Sequence, residues 1–318
     1  MKFIDLHCDT LMHLKPAGGG NLLKNSESVD FARMRGCCMA QFFAIYLPSL
    51  ERLEKAGYSG DEAYINEKFD IFAADIAACD DVEWGLSYKD LVDNNQNNKM
   101  TAFLTMEDGR DVRGSHKRLA EYYNRGIRLI TLTWNFKNCF GAPQSADPVA
   151  MQEGLTPFGN EAIEHMNELG MIIDVSHLSD GGFWDVVKRS KKPFMASHSN
   201  ARALAPHPRN LTDEMIKAVA NSGGVAGLNF APHFLNEDRN NTHSSVPAMV
   251  RHMRYIADIG GVGVLALGSD LDGIIGQLDI DSVDKIPNLL DALSTEFNSS
   301  EIEQIAYGNA LRVLKEVL

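Results

Sequence analysis

Eight short apolar segments, spaced by stretches with helical periodicity, constrain this chain more than any other feature of its sequence. They are Phe3–Cys8, Cys38–Leu47, Thr101–Met106, Arg128–Thr133, Met171–Ser176, Pro193–Ser197, Gly224–Asn229 and Val264–Gly268. Most are runs rich in Ile, Val, Leu, Phe or Ala, the composition of strands covered on both faces. Between them, Ile65, Phe69, Phe72 and Ile76 recur at i, i+4, i+7 and i+11 and form one apolar helical stripe. Ala162–Leu169, Asp213–Ala220 and Val246–Ile259 carry similar patterns. Thr212 stands where it caps a helix opening at Asp213, and Ser300 where it caps one opening at Glu301. Eight strands alternating with helices predict an α/β fold, a (β/α)8 TIM barrel, in one domain over residues 1–318. A doubly wound sheet would carry a glycine fingerprint after its first strand, and Asp-Leu-His-Cys-Asp-Thr is not one. Gly18-Gly19-Gly20 reads as a hinge or surface turn.

The net charge of −13 argues against nucleic acid or an anionic membrane as a partner. No apolar run approaches the roughly 20 residues that span a bilayer. The first strand begins at Phe3, which leaves no signal peptide. Cys8, Cys37, Cys38, Cys79 and Cys139 are an odd set without disulfide-framework or zinc-finger spacing. They read as reduced thiols in a cytoplasmic protein, with Cys8 in a packing role.

In a barrel of this kind the reactive groups gather at the C-terminal ends of the strands. The first segment ends in His7 and Asp9, two residues apart, so that an imidazole and a carboxylate share one face. The third ends in Glu107, the fifth in His177, the sixth in His198 and the eighth in Asp270. Taken singly, a strand-end His is more often a hydrogen-bonded structural residue, and Glu107, Asp270 and Asp272 fit turns. Taken together, three imidazoles and three carboxylates exceed what one catalytic zinc needs. They suit two metals about 3.5–4 Å apart, bridged by a carboxylate and a water. The remaining histidines, His13, His116, His165, His207, His233, His243 and His252, read as structural or solvated.

These residues sit in motifs that resemble one family. In order they include Asp-Leu-His-Cys-Asp-Thr, Ala-Gln-Phe-Phe-Ala-Ile-Tyr, Leu-Thr-Met-Glu-Asp, Ile-Asp-Val-Ser-His, Ala-Ser-His-Ser-Asn, Pro-Arg-Asn-Leu-Thr-Asp and Leu-Gly-Ser-Asp-Leu-Asp-Gly. The chain resembles, over nearly its full length, the membrane (renal) dipeptidases, binuclear zinc metallopeptidases of family M19. The resemblance implies a metal-dependent hydrolase barrel of amidohydrolase-like type that cleaves dipeptides, L,D-dipeptides among them. It implies two Zn2+ per chain, one on His7 and Asp9, the other on His177 and His198, with Glu107 as bridge. Asp270 matches the acidic residue beside the bridging water, and serves as the proton carrier when a hydroxide attacks the peptide carbonyl. Arg209 matches the residue that binds the substrate carboxylate, a task that suits a planar guanidinium. The expected partner is a small dipeptide, with neither nucleic acid nor membrane, and a homodimer is left open.

One position departs from the family. Where members such as the renal enzyme carry a His after the fourth strand, this chain has Trp134, followed by Asn135. An indole has one donor and no titrating group, so Trp134 is expected either to wall the substrate pocket or only to fill the barrel mouth. The alternatives are a related hydrolase or lactonase acting on N-acyl amino acids or small esters, or a metal-binding homologue without activity.

Overall fold

The computed structural model describes residues 1–15 and 20–318. All eight expected strands form: β1 Phe3–Cys8, β2 Cys38–Tyr46, β3 Met100–Glu107, β4 Ile127–Thr131, β5 Ile172–Asp174, β6 Met195–Ala196, β7 Val225–Leu228 and β8 Leu265–Leu267. Each pairs in parallel with the next in chain order. β1 also pairs with β8 through Asp5 and Leu267, which closes the ring. The result is the expected (β/α)8 barrel, and closure leaves no barrel strand with a free edge.

The later strands are shorter than their apolar runs. Their last polar residues leave the ladder to bond elsewhere: Ser197, beyond β6, donates from its backbone N and its Oγ to Asp174. A short strand, Val82–Trp84, was not expected. It pairs with Met100–Ala102 of β3, on the edge that β4 takes over from Leu104 onward. Three residues are too few to show a pattern in sequence.

The interior is packed from every side. Ile4, Phe42, Phe103, Leu129, Ile172, Met195, Val225 and Ala266, one from each strand, belong to a single buried cluster. This is the layered filling that makes such a barrel a core instead of a pore. Outside, the helices bury their apolar stripes against the strands. In the helix Asp61–Ala77, Ile65, Phe72 and Ile76 are buried, and Phe72 meets Phe43 of β2 with ring centroids 5.9 Å apart. Burying each such side chain contributes about 1.5–3 kcal/mol. Phe69 is only partly buried, against Trp84. The stripe also contains Lys68, fully buried, which donates to the carbonyl of Leu14 and to Glu67.

Thr212 caps the helix Asp213–Asn221 as expected, accepting from the Met215 amide. The cap assigned to Ser300 belongs to Asn298. The helix there starts at Ser299, and Asn298 accepts from two amides while Glu301 reaches back to the Asn298 amide. That is a full capping box, which a lone serine inside the first turn does not provide. In the glycine run, Gly18 and Gly19 lie outside the described residues, and Gly20 adopts a left-handed φ of 81°. The five cysteines are unpaired, with Cys8 in the core. Among the described residues no helix is long and apolar enough to cross a membrane.

Candidate metal centre and substrate pocket

The barrel delivers His7, Asp9, Glu107, His177, His198 and Asp270 to one buried cluster at the C-terminal ends of its strands. Glu107 stands at its centre and its two oxygens face different neighbours. Oε1 lies 2.9 Å from His177 Nε2 and 3.6 Å from His198 Nε2. Oε2 lies 3.7 Å from His7 Nε2. His7 Nε2 is in turn 3.5 Å from Asp9 Oδ2 and 3.8 Å from Asp270 Oδ1. Ligand atoms of His7, Glu107 and His198, and again of His7, Asp9 and Asp270, fall within 4.8 Å of one another.

The donor set fits divalent metal. His7 Nε2 and Asp9 Oδ1 are buried without a hydrogen-bond partner, and each such orphan costs about 1–3 kcal/mol unless something else meets it. The Nε2 atoms of His177 and His198 lie 3.0 Å apart. Burial, with Arg209 and His7 nearby, holds both imidazoles well below their ordinary pKa, so both are neutral and carry lone pairs. His198 is set for this: its Nδ1 bonds Ser197 Oγ, which donates to Asp174, leaving Nε2 to face the cluster. Burial opposes a charge on His7, yet Asp9, Glu107 and Asp270 outweigh it and lift its pKa to about 10. Burial pushes Asp270 up to about 7, with Asp9 adding to the rise and His7, Asn229 and Arg209 opposing it.

The backbone is bent to make this geometry. His177 and Asp270 hold left-handed φ values of 66° and 61°, which a side chain adopts at a cost. Beside them, a Cβ on Gly273 would sit 2.1 Å from Asp9 Oδ2 and 2.7 Å from Asp270 Oδ1. Only glycine leaves both carboxylates free there.

A cavity of about 330 Å³ opens over the cluster, within the range of small-ligand sites. Trp134, half-buried, forms one wall and meets Tyr46 edge-on at 4.9 Å. Arg209 is buried beside the cluster. It donates to Ser199 Oγ and the His198 carbonyl, its Nε has no partner, and it forms no ion pair among the described residues. Asp272 is not in the cluster: Thr10 Oγ1 and the Ser28 amide occupy its two oxygens.

The chain as a whole, residues 1–318, matches the family model of membrane dipeptidases, peptidase family M19. The chain belongs to that family. Membership makes it a metallopeptidase of the dipeptidase class, with a metal cofactor. An uncharacterized protein of Klebsiella pneumoniae in the pqqA 5′ region is 38% identical over 226 residues, covering 69% of this chain and 82% of that protein. An uncharacterized dipeptidase of Schizosaccharomyces pombe is 32% identical over 69% of this chain; the match covers 53% of that protein, about half its length. A metallopeptidase of Rhodobacter sphaeroides, solved with a phosphinate mimic of the dipeptide L-Ala-D-Ala, shares the fold at TM-score 0.89 and 24% identity. That match covers 100% of this chain and 99% of the other. The same barrel underlies amidohydrolase-type metal enzymes.

Several residues of this M19 site were not singled out in the sequence. Asn229, at the end of the seventh apolar run, donates to Asp270 Oδ2 at 2.8 Å. Tyr46, at the end of the second, lines the pocket. Both obey the rule that exposed the clustered residues, a polar residue where an apolar strand stops. His233 and Phe234 also line the pocket, although His233 read as structural or solvated. His207 holds the Arg209 amide through Nδ1 at 3.1 Å. Loops after β6 and β7 carry these residues, and no periodicity marks them.

Proposed function

We propose that this chain is a dinuclear zinc dipeptidase in a single catalytic domain. The observation that carries the reading is Glu107, whose two carboxylate oxygens face separate imidazole groups, as a bridging ligand requires. His7 and Asp9 would hold one ion and His177 and His198 the other. When bound, such a pair would lower the pKa of a coordinated water toward neutrality and polarise the scissile carbonyl.

The chain's own groups do the rest. Asn229 pins Asp270 Oδ2, so Oδ1 is free to take a proton from the attacking water and return it to the leaving amine. Arg209, a buried cation without an acidic partner, would receive the C-terminal carboxylate of the substrate and so restrict the enzyme to short peptides. Trp134 and Tyr46 supply an apolar wall for a side chain. The five unpaired thiols support a cytoplasmic setting. The L-Ala-D-Ala mimic bound by the R. sphaeroides relative makes L,D-dipeptides worth equal place in any screen.

The test is turnover by zinc-reloaded protein of matched L,L- and L,D-dipeptides against N-acyl amino acids. Dipeptides should be cleaved, and stripping the metal should abolish cleavage. Faster turnover of N-acyl amino acids would reassign the enzyme.

A further inference from the structure

Strand order fixes which side chains meet which end of a substrate. In the closed ring of eight, β2 and β6 lie four strands apart, on opposite sides of the mouth. Arg209 comes from the loop after β6, and Phe234 beside it from the loop after β7, with the guanidinium 5.3 Å from the ring. Tyr46 ends β2 and Arg52 follows in the short helix Leu50–Lys55; both line the catalytic cavity. Glu107 and its neighbours stand between the two sides.

Arg52 differs from the other cations of its neighbourhood. Arg110, also close enough to act on Tyr46, is spent: it pairs with Asp61 and Asp108 and donates to the Leu47 and Pro48 carbonyls. Arg52 has no ion pair among the described residues, although the chain carries 43 acidic side chains against 30 Lys and Arg. A cation left unpaired at the rim of a cavity, on a protein of net charge −13, is available to a ligand. Two histidines also line the cavity: His177 belongs to the buried cluster, and His233 follows β7, next to the Phe234 that stacks on Arg209.

Resting on the dipeptidase reading, we infer that Arg52 selects dipeptides with an acidic N-terminal residue. A substrate anchored to Arg209 by its C-terminal carboxylate lays its peptide bond over Glu107 and its neighbours. Its N-terminal side chain then points across the ring to β2, where Tyr46 and Trp134 flank the stem and Arg52 meets the carboxylate. Neutral side chains fit the same wall without the charge-assisted bond.

The test compares kcat/KM for Glu-Ala and Gln-Ala, which are nearly isosteric, with Lys-Ala and Ala-Ala alongside, all with zinc supplied. The parent should favour Glu-Ala over Gln-Ala by about 2- to 5-fold, the size for a pair whose cation, Arg52, is exposed. That ratio should shrink as salt is raised. Arg52→Gln should bring the ratio close to one, and Arg52→Glu should turn it in favour of Lys-Ala. Each ratio is internal to one protein, so a loss of folded enzyme does not change it. Equal turnover of Glu-Ala and Gln-Ala by the parent, or an Arg52→Gln ratio equal to the parent's, would overturn the assignment to Arg52 alone. Failure to cleave any of the four would overturn the dipeptidase reading and this inference with it.

Discussion

Asp270 offers the reaction one free oxygen. Its Oδ2 is bonded to Asn229, and its Oδ1 faces His7 across 3.8 Å. In the proposed role of proton carrier, Asp270 would matter more to turnover than to metal retention. Asp270→Asn should therefore keep its zinc and lose about 10²–10⁴-fold in kcat, the usual size for general acid–base catalysis. Elemental analysis beside steady-state rates measures both, and near-parental kcat would move the role to another group. Asp272 is a poor successor, since both its oxygens are engaged by Thr10 and Ser28. Arg209 makes a second residue-level claim. A charge-assisted bond to the substrate carboxylate is worth about 1.5–3 kcal/mol, so Arg209→Ala should cost about 10- to 100-fold in kcat/KM on free dipeptides. Dipeptides amidated at the C-terminus should already be poor substrates for the parent. If the parent cleaves both forms alike, the guanidinium has a structural task only.

Elements hold one another in register through buried polar contacts, and His252 is the plainest example. It lies in the helix Val246–Gly260 and accepts the Ala201 amide at Nδ1 while donating from Nε2 to the Leu235 carbonyl. It thereby ties the loops after β6 and β7 to one helix. Burial, with Arg251 adding to it and the Leu235 bond opposing, lowers its pKa from the usual 6.5 to about 4. Between those values the unfolded chain binds a proton that the folded chain refuses. The stabilisation is therefore complete above about pH 6.5 and is lost as pH falls toward 4. At pH 5 the loss is about 2 kcal/mol. His252→Gln removes that titration. In denaturant unfolding of the metal-free protein, the stability gap between parent and variant should narrow by this amount from pH 7.5 to pH 5. A gap that stays constant would show that His252 is not the titrating group. Its place on a helix face reads in sequence as a satisfied, partly buried imidazole; the structure satisfies both ring nitrogens and buries it fully, with partners 51 and 17 residues away that the sequence does not name.

Across the whole molecule, what was legible follows from what each residue must do alone. A strand covered on both faces must be apolar along its length, so all eight barrel strands stood out. Each residue of the buried cluster is a polar residue where such a run stops, so His7, Asp9, Glu107, His177, His198 and Asp270 stood out with them. The supports did not, because their reason for being there lies elsewhere in the chain. Asp174 means nothing until Ser197, 23 residues on, is seen to bond both it and His198. Asp5 is likewise explained by Ser269, 264 residues away. Lys68 was hidden for the opposite reason, a charge placed on an apolar stripe and satisfied by the Leu14 carbonyl. On the reading proposed above, strands, clustered side chains and supports would together serve to hold two cations around Glu107. The most direct check is the zinc content per chain of protein loaded with zinc and freed of excess, measured by elemental analysis for the parent and for Glu107→Ala. Two equivalents in the parent, with both weakened in the variant, are the predicted result; a firm single equivalent in the intact parent would contradict the dinuclear centre.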